Sequence, residues 1–139
     1  MGTWQILGGP CAMPATSMAI TQFAPLTGTY TGTLTNYGTT SNSTNITAIL
    51  TQSTTPDADG RFPLTGTITA TGACTGTFPL APETVSGNGV APNAGGFLMP
   101  AATIDGPFLP TAAAFQSTFV EIYFTNCSVG SLTGILTRQ

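Results

Sequence analysis

Five carboxylates and three tyrosines are the side chains that could carry acid–base chemistry in this chain, which has neither histidine nor lysine. Without histidine, the Ser–His and Cys–His pairs of nucleophilic catalysis cannot form. Without lysine, Schiff-base and Ser–Lys chemistry is excluded as well. We therefore expect a protein that is not an enzyme and that uses no cofactor.

Asp57 and Asp59 form the one closely spaced pair of acids. An Asp-x-Asp-Gly run binds calcium when further oxygen ligands follow, but here Arg61 follows and no glutamate completes such a loop. Asp59-Gly60 lies between two predicted strands and supplies the positive φ of a tight hairpin. A hairpin turn is thus favoured over a calcium site or a catalytic dyad, and we predict no metal site.

Glu121 lies between Val120 and Ile122 in the most hydrophobic strand of the chain. If its two neighbours face the core, Glu121 is outside with Phe119 and Tyr123, in an aromatic stripe that is either a contact surface or covered by the middle loops. If Glu121 faces the interior, it is the best candidate for acid–base chemistry. The sequence leaves these alternatives open.

Cys11, Cys74 and Cys127 are an odd number of cysteines, with no Cys-x-x-Cys pair and no histidine to complete a zinc site. A disulfide between two of them is favoured over free buried thiols. Three pairings are allowed, and we predict Cys74 with Cys127 because both fall at the ends of apparent strands. A disulfide would place the protein outside the cytoplasm.

Charge is scarce in this chain. Charged residues make up 5 % of the sequence, the net charge is −3, and Arg61 and Arg138 are the two cations. Binding to nucleic acid or to an anionic membrane surface requires clustered lysine and arginine, so neither partner is expected. No apolar run approaches the roughly 18 residues of a transmembrane helix. A surface of Thr, Ser and Asn offers little repulsion against self-association.

The strongest structural signal is the alternation at 26–35, where threonine takes every odd position and a residue suited to the interior takes every even one. A period of two predicts a half-buried β-strand. Further strands are predicted at 46–52, 62–71, 96–104, 115–125 and 132–137, with short candidate strands at 3–7 and 18–23 and one or two more within 75–80 and 84–90. At 139 residues the chain, 1–139, is expected to be a single all-β domain.

A Leu-Thr-Gly echo occurs at 26–28, 64–66 and 132–134, and its unequal spacing excludes a solenoid. These glycines occupy the alternating positions that face the interior, where a missing side chain permits sharp bending of the sheet or close approach of another group. Either a ligand uses the space, or an aromatic ring of Tyr30, Phe62, Phe108 or Phe124 fills it. The predicted ligand-binding residues are Gly28, Tyr30, Gly32, Gly66 and Phe124.

Seven to nine antiparallel strands joined by short connections predict an antiparallel meander β-barrel, with a β-sandwich as the alternative. Closure into a barrel removes the exposed sheet edges. A sheet this poor in lysine could not protect such edges otherwise.

Gly2-Thr3-Trp4 is similar to the Gly-x-Trp that opens the first strand of lipocalins and other calycins. In that family the tryptophan packs beneath the barrel against a basic residue after the last strand. The resemblance therefore implies a lipocalin-like barrel closed by Trp4 and Arg138, through a cation–π contact.

Three longer segments, 23–33, 59–67 and 132–138, look like those of a group of Thr/Gly-rich bacterial envelope proteins. The members of that group are secreted or lipid-anchored, all-β, and without an assigned activity. The resemblance implies an extracytoplasmic location: secreted, periplasmic or lipid-anchored in the cell envelope.

Two functions are compatible with these features. The first is a non-enzymatic extracytoplasmic β-barrel that binds a small apolar ligand in its mouth or interior. The alternative is a structural or adhesive module of the cell envelope that self-associates and has no small-molecule ligand.

Overall fold

A computed structural model of the chain describes residues 2–4, 16–18, 22–36, 43–73, 75–87, 89–92, 101–109, 111–123 and 132–139. These residues contain no helix and form eleven strands: β1 (Gly2–Trp4), β2 (Thr16–Met18), β3 (Gly28–Asn36), β4 (Ser43–Gln52), β5 (Phe62–Gly72), β6 (Gly76–Pro79), β7 (Glu83–Ser86), β8 (Gly89–Pro92), β9 (Ala101–Pro107), β10 (Ala114–Tyr123) and β11 (Leu132–Arg138). The prediction of an all-β protein is confirmed.

The alternation of residue types along the strands becomes an alternation of burial. Tyr30 and Leu34 of β3 are fully buried, while Thr33 and Thr35 between and beside them are exposed. The strands β4 and β5 follow the same alternation, with Ile, Leu and Ala on the inner face and mainly threonines on the outer face, except that Thr44 is buried and Ile49 is exposed. Each strand thus has one face that must be removed from water, and this requirement curls the sheet around a core.

Strands β3 to β11 form one antiparallel sheet whose neighbours follow chain order. β6 and β7 both pair with β5, in registers that differ by one residue, so they act as two halves of one bulged strand. β11 then pairs with β3, from Leu132 opposite Asn36 to Arg138 opposite Tyr30. Eight strand positions in chain order, with the first beside the last, give the predicted antiparallel meander in a barrel-like form.

The wall is irregular between β8 and β9, whose described residues pair at Gly89–Pro107 and Val90–Gly106. Further along β9, the chain that joins β6 to β7 takes the place of β8: the Ala81 N–H donates to the Ala102 carbonyl at 2.8 Å. The Ile104 N–H donates to Oε1 of Glu83 at 3.2 Å. A carboxylate therefore accepts a backbone hydrogen bond that a neighbouring strand would accept in a regular sheet.

Side chains fill the interior. An eight-stranded barrel is just wide enough for its inward side chains to meet. The buried core contains Leu26, Tyr30, Leu34, Ile46, Ala48, Leu50, Leu64, Ile68, Ala70, Phe78, Val85, Val90, Ala102, Ile104, Phe108, Ala112, Leu132 and Leu136. Tyr30 is the largest of the fully buried side chains.

Most predicted strands differ from the observed ones by a few residues at their ends, and two of them differ in kind. The segment predicted as one strand at 84–90 is the hairpin of β7 and β8, because Gly87 adopts a φ of 58° and turns the chain. The strand predicted at 18–23 is described only as β2, which pairs with β1 in a separate two-stranded sheet.

Candidate functional site

The segment 22–27 closes one end of the barrel, the end at which β3 begins and β4 stops, hereafter the base. Leu26 is fully buried there, and its N–H donates to Oε1 of Gln52 at 2.8 Å. The Gln52 N–H donates in turn to the Thr27 hydroxyl at 3.0 Å. These two reciprocal hydrogen bonds tie the segment to the last residue of β4.

The turn between β9 and β10 also lies at the base. The Ala112 N–H donates to the Leu109 carbonyl at 2.8 Å, and Ala112 adopts a φ of 54°, rare for a residue other than glycine. Ala112 is fully buried, and its carbonyl accepts a hydrogen bond from the Tyr30 hydroxyl at 2.9 Å. Burial raises the pKa of the Tyr30 phenol, and the nearby Arg138 charge partly opposes that rise.

A half-open cavity of about 200 Å³ lies at the base, between these two segments and the ends of β4, β5 and β7, and we call it the base pocket. Its lining residues are Phe23, Ala24, Gln52, Phe62, Val85, Gly87 and Phe108. Two of its rings, Phe23 and Phe108, meet edge to face with centroids 5.8 Å apart. Three phenylalanines and one amide give a half-open site whose lining is more apolar than polar, with a single polar side chain among the lining residues, and its volume fits a ligand about the size of a substituted benzene.

The glycines predicted to bind a ligand lie against other parts of the chain. A Cβ at Gly28 would lie 3.0 Å from Nε of Arg138, whose side chain covers that position. A Cβ at Gly32 would collide with the Ile135 carbonyl, and one at Gly66 with the Ile49 carbonyl. The space beside these glycines is thus used for close approach of neighbouring strands, which is one of the two uses their parity allows.

The other predicted ligand-binding residues do not join the base pocket within the described structure. Tyr30 is part of the packed core, and Phe124 lies outside the described residues. Phe62 and Phe108, which the sequence presents as rings that could fill the space beside the glycines, line the pocket instead.

Arg138 lies at the end of β11, where its backbone pairs with Tyr30 and its N–H donates to the Ala113 carbonyl at 2.9 Å. It thereby joins β3, β11 and the β9–β10 turn at the base. Trp4 ends β1, and its side chain lies outside what the structure describes, so its contact with Arg138 stays a prediction. Cys11, Cys74 and Cys127 also lie outside the described residues, and the disulfide stays a prediction.

The candidate acid Asp57 has a structural role in a turn. Oδ1 of Asp57 accepts hydrogen bonds from the N–H groups of Asp59 and Arg61 at 2.9 and 2.8 Å, and Gly60 adopts a φ of 77°. The predicted hairpin turn is confirmed, since this carboxylate organises the β4–β5 connection. The Glu121 backbone pairs with Thr103, which is buried, and the side chain of Glu121 is outside the described set.

Sequence reasoning missed three residues of interest: Phe23, Gln52 and Glu83. Phe23 and Gln52 belong to segments 29 residues apart along the chain, and nothing local indicates that they meet. Glu83 is 2 % exposed, yet it lies in a Pro- and Gly-rich stretch that gives little strand signal. The Glu83-Thr84-Val85 triplet is buried throughout, but its carboxylate and hydroxyl interrupt the apolar run that would indicate a strand with both faces covered.

Among the described residues, no three acidic, cysteine or histidine side chains are close enough together to hold a metal ion. The same residues include no helix long and apolar enough to span a membrane. Comparison with known proteins gave no matching family model, no matching curated protein and no matching solved structure. The geometry of the base pocket is therefore the main guide to function.

Proposed function

We propose that this protein is a non-enzymatic, extracytoplasmic, lipocalin-like β-barrel that binds a small apolar ligand in the base pocket. The observation that carries the proposal is the lining of the cavity by the rings of Phe23, Phe62 and Phe108 at the end of an otherwise packed barrel. Aromatic rings on several sides of one cavity favour an apolar guest over water.

The size of the pocket sets the expected affinity. A monocyclic aromatic ligand buries roughly 150 Å² of apolar surface. At about 25 cal/mol per Å², complete burial of this surface would contribute about 4 kcal/mol, so a Kd near 1 mM is the upper limit of affinity, because the pocket is half open and binding costs translational and rotational freedom. Ligands with one or two additional carbon atoms would bind more tightly until they exceed the volume of about 200 Å³.

The proposal is tested by titrating toluene, up to its solubility limit, into ¹⁵N-labelled protein. Ala24→Phe places a ring inside the pocket, whereas Ala58→Phe makes the same change at an exposed position of the β4–β5 turn. We expect saturable shifts of backbone resonances at the base in the wild type and in Ala58→Phe. Ala24→Phe should bind at least about tenfold more weakly. Absence of binding in the wild type, or unchanged binding in a folded Ala24→Phe, would overturn the proposal.

The extracytoplasmic location rests on composition. Charged residues are 5 % of the chain, and three cysteines accompany an outer surface of threonines on β3, β4 and β5. The resemblance to Thr/Gly-rich bacterial envelope proteins supports the same location. Thiol labelling under denaturing conditions, followed by peptide mapping of protein from its native compartment, should find Cys74 and Cys127 protected and joined. Labelling of both would contradict this part of the proposal.

A second candidate function is self-association as a structural or adhesive envelope module without a small-molecule ligand. Ile49 and Ile135 favour it, because they are 53 % and 59 % exposed on a surface with few charges to oppose contact. Ile49 lies opposite Thr29 on one side and Thr67 on the other, so isoleucine interrupts a threonine surface.

Sedimentation equilibrium of the wild type and of Ile49→Thr with Ile135→Thr tests this second function. Threonine preserves the branched side chain and matches the neighbouring positions. If the outer surface around Ile49 and Ile135 mediates association, the double variant should be monomeric at concentrations where the wild type is not. A wild type that is monomeric at millimolar concentration would exclude this function.

A further inference from the structure

Gln52 carries the one side-chain hydrogen-bonding group among the residues that line the base pocket. Its amide has two different ends, a carbonyl oxygen that accepts hydrogen bonds and an NH₂ group that donates them. The end that hydrogen-bonds to the protein therefore determines whether the other end can donate to a ligand or accept from it.

The neighbouring backbone settles that orientation. The Leu26 N–H is a donor, so the Gln52 atom that it meets at 2.8 Å must be the carbonyl oxygen. The Thr27 hydroxyl, which accepts from the Gln52 backbone N–H at 3.0 Å, holds the same residue from its other side. Within the described part of the chain, the Gln52 NH₂ group makes no hydrogen bond.

We propose that Gln52 makes the base pocket selective for a small aromatic ligand that bears one hydrogen-bond acceptor, such as an aryl ketone or aldehyde. The rings of Phe23, Phe62 and Phe108 bury the apolar part, and the Gln52 NH₂ group donates to the carbonyl oxygen. A pocket with this pairing favours acceptors over donors, because a ligand group that can only donate, such as an indole N–H, would face an NH₂ group that also only donates. This inference rests on the proposed function and deepens it.

The test compares acetophenone with ethylbenzene, which has nearly the same shape and no acceptor, in the wild type and in Gln52→Glu. The substitution keeps an oxygen to accept from the Leu26 N–H and replaces the donor by a second acceptor. Because each ligand is compared with itself across the two proteins, the different hydration of the ketone and the hydrocarbon cancels. The Leu26 amide resonance reports whether the structural hydrogen bond survives.

We expect Gln52→Glu to weaken acetophenone about 3- to 10-fold, the range for one hydrogen bond, and to change ethylbenzene less than twofold. Equal changes for the two ligands, with ethylbenzene bound by the wild type, would overturn the selectivity while leaving the proposed function intact. If neither ligand binds the wild type, both the inference and the proposed function are overturned.

Discussion

The hydroxyl of Tyr30 donates a hydrogen bond of 2.9 Å to the carbonyl oxygen of Ala112, 82 positions further along the chain. Tyr30 belongs to the first strand of the barrel and Ala112 to a turn at its base. Both residues are fully buried, so water does not compete for either group. One bond inside the core thus holds the turn whose Phe108 forms part of the pocket wall.

Removal of this bond should weaken the fold. Tyr30→Phe leaves the buried Ala112 carbonyl without its donor, and we expect the free energy of unfolding to fall by about 1–3 kcal/mol in urea denaturation. Thr33→Val is the control, because it removes an exposed hydroxyl that donates to Asn45 at 2.7 Å and should change stability by less than about 0.5 kcal/mol. Equal effects of the two substitutions would contradict a structural role for the Tyr30 hydroxyl.

The same phenol predicts a dependence of stability on alkaline pH. Burial raises the pKa of Tyr30 in the folded protein above its value of about 10 in the unfolded chain. The folded state therefore retains the phenolic proton more strongly. Its stabilising contribution is fully present below pH 10 and is lost as the pH rises from there through the folded pKa, by up to about 1.4 kcal/mol per pH unit.

Comparison of the wild type with Tyr30→Phe isolates that contribution, because the other tyrosines are common to both. The difference in their unfolding free energies should be constant from pH 7 to 9 and should shrink above pH 10. A difference that stays constant to pH 11 would show that the Tyr30 pKa is the same in both states.

The Glu83 carboxylate accepts a hydrogen bond from the Ile104 backbone N–H at the irregular part of the wall. Gln and Leu are both neutral and close in size to Glu, but only Gln keeps an oxygen for the Ile104 N–H. We expect Glu83→Leu to be less stable than Glu83→Gln by about 1–3 kcal/mol at pH 7, measured by urea denaturation. If the two variants were equally stable, the hydrogen bond to Ile104 would have no part in closing the barrel wall.

Gly66 marks a position where two strands approach closely. A Cβ there would collide with the Ile49 carbonyl, so Gly66→Ala should destabilise the protein by about 1–3 kcal/mol through a forced backbone shift. Gly89→Ala is the matched control in another strand, since its Cβ would meet only the Ser86 carbonyl, at 3.7 Å. Thermal unfolding of both variants provides the comparison, and a Gly66→Ala protein as stable as Gly89→Ala would contradict the close approach.

Local patterns were sufficient to predict the architecture of this chain. Period-two alternation identified the inner face of β3, and the lack of helical periodicity pointed to antiparallel pairing in chain order. The pocket could not be predicted in this way, because it depends on where 22–27 crosses the base and on which residue receives the Leu26 N–H. The inward glycines predicted space for a ligand or for an aromatic ring, whereas in three dimensions the Arg138 side chain covers Gly28 and the backbones of neighbouring strands lie against Gly32 and Gly66.

The proposed ligand binds among Phe23, Phe62 and Phe108 at the base of the barrel. The most direct test of this binding is a nuclear Overhauser measurement on the protein saturated with toluene, observing contacts from the ligand methyl protons. We expect contacts to the ring protons of those three phenylalanines and none to the ring of Tyr30. Contacts to Tyr30 without the three phenylalanines, or no contacts at all, would contradict it.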